Sequence, residues 1–264
     1  MPKVLITRRI LSEAEDVLRA AGVDVVVGCG EHALGRGEFL ELLRQGFDGV
    51  ISMLTDIVNE DAIAAAAPPC RIFANYAVGC NNIDVAAAAK AGVFVTNTPD
   101  VLTETTADLA WALIMAAARR IVEADRWLRR EASSGVPGWN GWEGWAPTQF
   151  LGVDVYGKTL GIAGAGRIGT AVARRAAGFG MRVLYYSLYA NERLDVEMGA
   201  ERVELDVLLE RSDFISLHVP LTPETRHMFG PRELEKMKPT SVLVNTSRGA
   251  VIDEAALVEA LRTG

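Results

Sequence analysis

Two groups of residues in this sequence could do chemistry. The first is the arginine in "VLVNTSRGAVID". Arg248 follows an apolar run from Val242 to Asn245, which reads as a buried strand, and precedes Gly249 and a helix from about Asp253. A cation at the carboxyl end of a strand is placed to hold an anion, because parallel sheets bind ligands at that end. Taken alone, a surface arginine in an ordinary turn is the commoner case. The second group is "GIAGAGRIGT", where Gly164, Gly166 and Gly169 form G-x-G-x-x-G between a strand and a helix. That context suits a dinucleotide. Gly164 permits the tight turn, Gly166 lets the backbone approach a pyrophosphate, and Gly169 lets helix and strand pack closely. N–H groups near Arg167 and Ile168 would then face the phosphates. The bland alternative is a glycine-rich turn with no ligand.

The strand after the motif, "MRVLYYS", should end on the residue that reads the adenosine ribose. NAD sites usually place Asp or Glu there, whereas this chain has Ser187, followed by Leu188 and Tyr189. No carboxylate repels a 2′-phosphate at that position, so NADP(H) is favoured over NAD(H). No arginine follows directly, and Arg193 is the nearest.

Other chemistries are less well served. His32, His218 and His227 form no HxH or HExxH pattern, and Cys29, Cys70 and Cys80 lack metal-ligand spacing, so no metal site is expected. Cys80 could be a reactive thiol but reads more simply as an inert small side chain. An odd number of cysteines and the lack of a signal-peptide pattern suit the cytoplasm. The net charge of −7 argues against binding nucleic acid, and no apolar run is long enough to span a membrane.

The positioning elements alternate. "KVLIT", "VDVVV", "FDGVIS", "CRIFAN" and "GVFVTN" read as strands. Between them lie helices, "SEAEDVLRAAG" (Ser12 as N-cap, Gly22 as stop), "GEFLELLRQG", "NEDAIAAAA" and "DVAAAAKAG". Such alternation implies an α/β fold with a parallel sheet covered on both faces. Residues 103–129 then read as one long helix, apolar nearly all round in its first half, which two domains or a second subunit must cover. A loop rich in Gly, Pro and Trp follows, and alternation resumes at "KTLGIAGAG". The domain boundary falls near residue 100, giving units 1–100 and 101–264.

With the glycine motif preceded by another α/β unit and followed by "LHVPLTPETRHMF" and "LVNTSRGAVIDEAAL", the chain resembles the D-isomer-specific 2-hydroxyacid dehydrogenases. "NYAVGCNNID", "VTNTPDVLTETTADLAWAL", "FLGVDVYGKTLGIAGAGRIG" and "RVLYYS" match the glyoxylate/hydroxypyruvate reductase branch most closely. The resemblance implies two doubly wound parallel-sheet domains, a flavodoxin-like substrate domain and a Rossmann nucleotide-binding domain, with the reaction in the cleft. It implies NAD(P)H-dependent reduction of a small 2-oxo acid to the D-2-hydroxy acid. Val78 and Gly79 would offer N–H groups to the substrate carboxylate, and Leu54 would line the same pocket. Thr106 would lie beside the nicotinamide, and Arg167 and Ile168 at the pyrophosphate. His218, Val219, Pro220 and Thr225 would surround the adenosine half, and Thr246 and Ser247 would lead into Arg248. Arg248 becomes the catalytic arginine, binding carboxylate and ketone through paired donors and stabilising charge on the carbonyl oxygen.

The resemblance also implies a histidine proton donor, its carboxylate partner and an aspartate near the nicotinamide. These family positions lie downstream of Gly264, so the fold is expected to be C-terminally incomplete. It further implies a homodimer formed by the 103–129 helix and the loop carrying Trp139, Trp142 and Trp145, although packing of that loop on its own domain stays open. A phosphoglycerate-oxidising role fits less well, for want of basic residues in the N-terminal loops. A dinucleotide-sensing, corepressor-like binding module without turnover is the rival from another class.

Overall fold

The computed structural model describes residues 1–133, 144 and 146–263. Trp139, Trp142 and Trp145 lie outside the described residues. Contacts divide the chain into two units, Met1–Leu102 and Thr103–Gly264.

The first unit runs β1 (Lys3–Ile6), α1 (Ser12–Ala20), β2 (Asp24–Val27), α2 (Arg36–Leu43), β3 (Gly49–Ser52), α3 (Glu60–Ala66), β4 (Ile72–Asn75), α4 (Val85–Lys90) and β5 (Phe94–Thr96). Its five strands are all parallel, in the order β2-β1-β3-β4-β5. The order reverses between β1 and β3, the hallmark of a doubly wound sheet. Leu5, Phe39, Leu43, Phe47, Val50 and Phe73 form the centre of its core. Asn59 and Asp84 cap α3 and α4 by accepting from the N–H groups of Ala62 and Ala87. Ser12 does not cap α1. It is the first helical residue, Leu11 occupies the cap position, and the Ser12 hydroxyl turns to Glu13.

The second unit begins with α5 (Thr103–Ala118) and α6 (Ile121–Ser133). The expected single helix over 103–129 is therefore broken. Arg120 takes a left-handed conformation (φ 53°), and the N–H of Val153 reaches the Ala118 carbonyl at 2.8 Å. That carbonyl would otherwise serve a continuing helix. Within the chain α5 is covered along one side: Ala107, Ala110, Trp111, Ile114 and Ala118 are buried, while Leu109 and Leu113 are exposed.

The remaining elements are β6 (Thr159–Ala163), α7 (Arg167–Ala176), β7 (Arg182–Tyr186), α8 (Glu192–Met198), β8 (Glu201–Arg202), α9 (Leu205–Arg211), β9 (Phe214–Leu217), α10 (Pro231–Lys236), β10 (Val242–Asn245) and α11 (Glu254–Thr263). The parallel strands lie in the order β10-β9-β6-β7-β8. Alternating side chains of β6 and β9 feed two cores. Leu160, Ile162 and Phe214 pack with Trp111, Ile114 and Val172 on one face. Ala163, Ile215 and Leu217 pack with Leu208, Phe229 and Val251 on the other. Trp111 anchors α5 to α7 by donating from Nε1 to the Val172 carbonyl at 2.9 Å and stacking on Phe179. In β10, Val244 is buried while Val242, Leu243 and Asn245 are half-buried, and the strand pairs with β9 among the described residues. Asp253 caps α11 by accepting from Ala256 N–H.

Candidate active site

The second sheet reverses order between β6 and β9, and the glycine turn stands at that reversal. Gly164 has φ 99°, and a Cβ on it would lie 2.7 Å from the His218 carbonyl carbon and the Val219 nitrogen. Its N–H donates to the Tyr186 carbonyl, while the His218 N–H donates to the Ala163 carbonyl at 2.7 Å. Both neighbouring strand ends are thus sewn to the turn. A Cβ on Gly169 would stand 2.1 Å from the Gly164 carbonyl oxygen, so glycine is needed for α7 to lie on β6.

Gly166 differs. It is the N-cap of α7 in an extended conformation, and a Cβ there would meet nothing within 4 Å. No protein contact requires glycine at this place; a ligand reaching the helix start would. The first turn of α7 carries no acidic residue, so the positive end of its dipole is not offset. These features fit the pyrophosphate of a dinucleotide. Asn191, which sequence reasoning passed over, stiffens the turn by donating to the Ala165 carbonyl and to Thr170 Oγ1, both at 2.8 Å. Its side chain also caps α8.

His218 follows β9 with its ring turned inward, Nε2 lying 2.8 Å from Ser216 Oγ. Burial pushes its pKa down to about 4, so the ring is neutral at physiological pH. Val219 is buried and Pro220 exposed. The Thr225 hydroxyl folds the next turn, donating to the Pro220 carbonyl at 2.6 Å and accepting from Thr222 N–H at 2.8 Å. His32 and His227 are both exposed.

Ser187, half-buried, directly follows β7, and the arginine beside it is not Arg193. Arg202, on β8, donates through its guanidinium to the carbonyls of Ser187 and Leu188. The short strand "ER" after α8 is the signal that would have placed it, since a parallel neighbour of β7 ends at the same edge.

Arg248 lies beyond β10 in a turn built by Asn245. The Asn245 side chain donates to the Arg248 carbonyl at 2.8 Å and accepts from Ser247 N–H and Oγ at 2.9 and 2.8 Å. Arg248 is half-buried, with Nη1 donating to the Ser247 carbonyl. Thr246 Oγ1 is buried with no hydrogen-bond partner among the described residues. Thr106, half-buried on α5, belongs to a helix that packs against β10.

In the first unit, Val78 and Gly79 follow β4. The carbonyls of Ala77, Val78 and Gly79 accept from Thr98 N–H, Asn97 Nδ2 and Asn75 Nδ2. Among the described residues the N–H groups of Val78 and Gly79 donate to nothing. Two N–H donors on a loop fixed through its carbonyls have the chemistry that an anion needs. Beneath it lies a buried polar lattice that sequence reasoning missed. Asn75 and Asn82 exchange amide hydrogen bonds at 3.1 Å, and Asn82 also donates to the carbonyls of Met53 and Asp56. The buried Asp56 carboxylate accepts from Thr7 Oγ1 and Met53 N–H. Leu54, 45% exposed, stands on the segment this lattice holds.

Among the described residues no group of His, Cys, Asp or Glu could hold a metal ion, and no helix is long and apolar enough to cross a membrane.

The glycine turn and its sheet are those of an enzyme family. Residues 111–264 match the D-isomer specific 2-hydroxyacid dehydrogenase family, NAD binding domain. The chain belongs to this family of oxidoreductases and carries a domain for a nicotinamide dinucleotide. Its relatives are more particular. It is 57% identical over 217 residues to the glyoxylate reductase of Korarchaeum cryptofilum, covering 82% of this chain and 63% of that protein. It is 50% identical over 264 residues to the glyoxylate reductase of Thermococcus onnurineus, covering all of this chain and 76% of that one. Among solved structures it resembles the TT0316 protein of Thermus thermophilus, with a TM-score of 0.87 and 40% identity, over 98% of this chain and 78% of that one.

Proposed function

We propose that this protein reduces a small 2-oxo acid, glyoxylate or hydroxypyruvate, to the D-2-hydroxy acid, with NADP(H) favoured over NAD(H). The observation that carries the reading is Arg248, held by Asn245 at a strand end of the sheet whose glycine turn opens α7. In this reading the first unit is the substrate-binding domain and the second the dinucleotide-binding domain.

Gly166 and the N-terminal turn of α7, with Arg167 and Ile168, hold the pyrophosphate. Val219, Pro220 and the Thr225 turn wall the adenosine half, and Ser187 meets the ribose. Thr106, Thr246 and Ser247 line the nicotinamide end. The nicotinamide, when bound, supplies the hydride. Arg248 pairs with the substrate carboxylate and carbonyl oxygen, holding negative charge as it develops on that oxygen. The Val78 and Gly79 N–H groups bind the carboxylate, and Leu54 shapes the space around it. His218 is neutral and engaged with Ser216, so it serves as a wall rather than as the proton donor.

The three free cysteines fit a reducing, cytoplasmic setting. Exposed Leu109, Leu113, Ile121 and Val122 on α5 and α6 fit a second copy of the chain as partner. The test is oxidation of NADPH on adding glyoxylate or hydroxypyruvate to the purified full-length protein. Steady oxidation is the expected result. NADPH that binds yet is oxidised by no 2-oxo acid refutes the reading and leaves a dinucleotide-sensing module.

A further inference from the structure

The pairing of β7 with β8 sets Tyr185 opposite Arg202 and carries the guanidinium to the edge where Ser187 lies. Arg202 Nε donates to the Ser187 carbonyl at 3.2 Å, and Nη2 donates to the Ser187 and Leu188 carbonyls, both at 2.9 Å. The carbonyls fix the plane of the guanidinium but do not neutralise it. Among the described residues Nη1 makes no hydrogen bond and Arg202 makes no ion pair. The adjacent Glu201 is already engaged by Arg211 at 2.9 Å. A pocket of about 440 Å³ opens at this point, lined by Tyr186, Ser187, Leu188, Arg202, Val203 and Glu204.

We propose that Arg202 selects the 2′-phosphate of NADP(H), an assignment that rests on the dinucleotide-binding reading of the second unit. Ser187 can exchange a hydrogen bond with a ribose hydroxyl but cannot distinguish strongly between hydroxyl and phosphate. A pre-oriented guanidinium can, because a phosphate monoester dianion gains charge-assisted hydrogen bonds that a hydroxyl does not. The cation reaches the site across the sheet from β8 rather than along the chain after β7. Glu204, in the same pocket and without an ion pair among the described residues, opposes it. The preference is therefore the balance of Arg202 against Glu204.

Calorimetric binding of 2′,5′-ADP and of ADP isolates this contact from turnover. The wild-type protein binds 2′,5′-ADP more tightly. Arg202→Ala weakens 2′,5′-ADP by about 10- to 100-fold and leaves ADP within about twofold, with Arg202→Lys in between. Glu204→Gln, which keeps every hydrogen bond of the Ser187 turn, tightens 2′,5′-ADP by about two- to fivefold. Equal weakening of both ligands by Arg202→Ala would make Arg202 a structural clamp on the turn and overturn the proposal. So would a wild-type protein that binds ADP as tightly as 2′,5′-ADP, with the dinucleotide site itself left intact. Binding of neither ligand would overturn the dinucleotide reading along with it.

Discussion

Gly166 and Gly169 sit in one motif for different physical reasons, and alanine separates them. At Gly169 the new Cβ would stand 2.1 Å from the Gly164 carbonyl oxygen and 3.0 Å from Ile162 Cγ2. Neither a backbone oxygen nor a buried strand side chain yields easily, so α7 must lift from β6. Such overpacking costs about 1–3 kcal/mol, and each kcal/mol lowers Tm by roughly 2–4 °C in a chain of this size. At Gly166 the backbone is at φ −75° and ψ −165°, open to any residue, and the Cβ meets nothing within 4 Å. Gly166→Ala should therefore keep stability or raise it by up to about 1 kcal/mol through the unfolded chain. Its methyl group would occupy the approach to the α7 N-terminus, so NADPH affinity should fall by at least about tenfold, or ~1.4 kcal/mol. Thermal melts without ligand and calorimetric titration with NADPH read the two effects apart. A Gly166→Ala protein that melts as low as Gly169→Ala, or binds NADPH like the wild type, would refute the reasoning.

Three further outcomes are expected. Below about pH 6.5 the unfolded chain protonates His218, whereas the folded ring resists until about pH 4; its contribution, up to about 3 kcal/mol, is present above that window and lost as pH falls through it. Urea midpoints between these pH values should show the slope, and His218→Asn should flatten it. Asn82→Ala removes the donor to Asn75, Met53 and Asp56; it should cost about 1–3 kcal/mol and raise KM for the 2-oxo acid while NADPH affinity holds. Arg248→Lys keeps the charge but loses the planar fork, so kcat/KM should fall by roughly 100- to 1,000-fold with unchanged NADPH binding, and near-normal kinetics would remove Arg248 from the chemistry.

What the sequence determined by itself is what short stretches of chain decide. Alternating apolar strands and amphipathic helices foretold parallel sheets, because each period exposes one face that must be covered. The glycine spacing announced its turn, since Gly164, Gly166 and Gly169 act within one strand–turn–helix. Tertiary structure decided what distant segments meet. Arg202 reaches Ser187 only because β8 pairs with β7, a relation no reading along the chain from Ser187 to Arg193 contains. The break after Ala118 depends on Val153 returning to take its carbonyl; the local composition of residues 103–129 favours helix throughout. The Asn75, Asn82 and Asp56 lattice was illegible for the same reason. Thr7 just after β1, Asp56 in the loop after β3, and Asn75 and Asn82 at and after the end of β4 become one network only when the sheet brings those strands together, away from water, where every donor must find its acceptor.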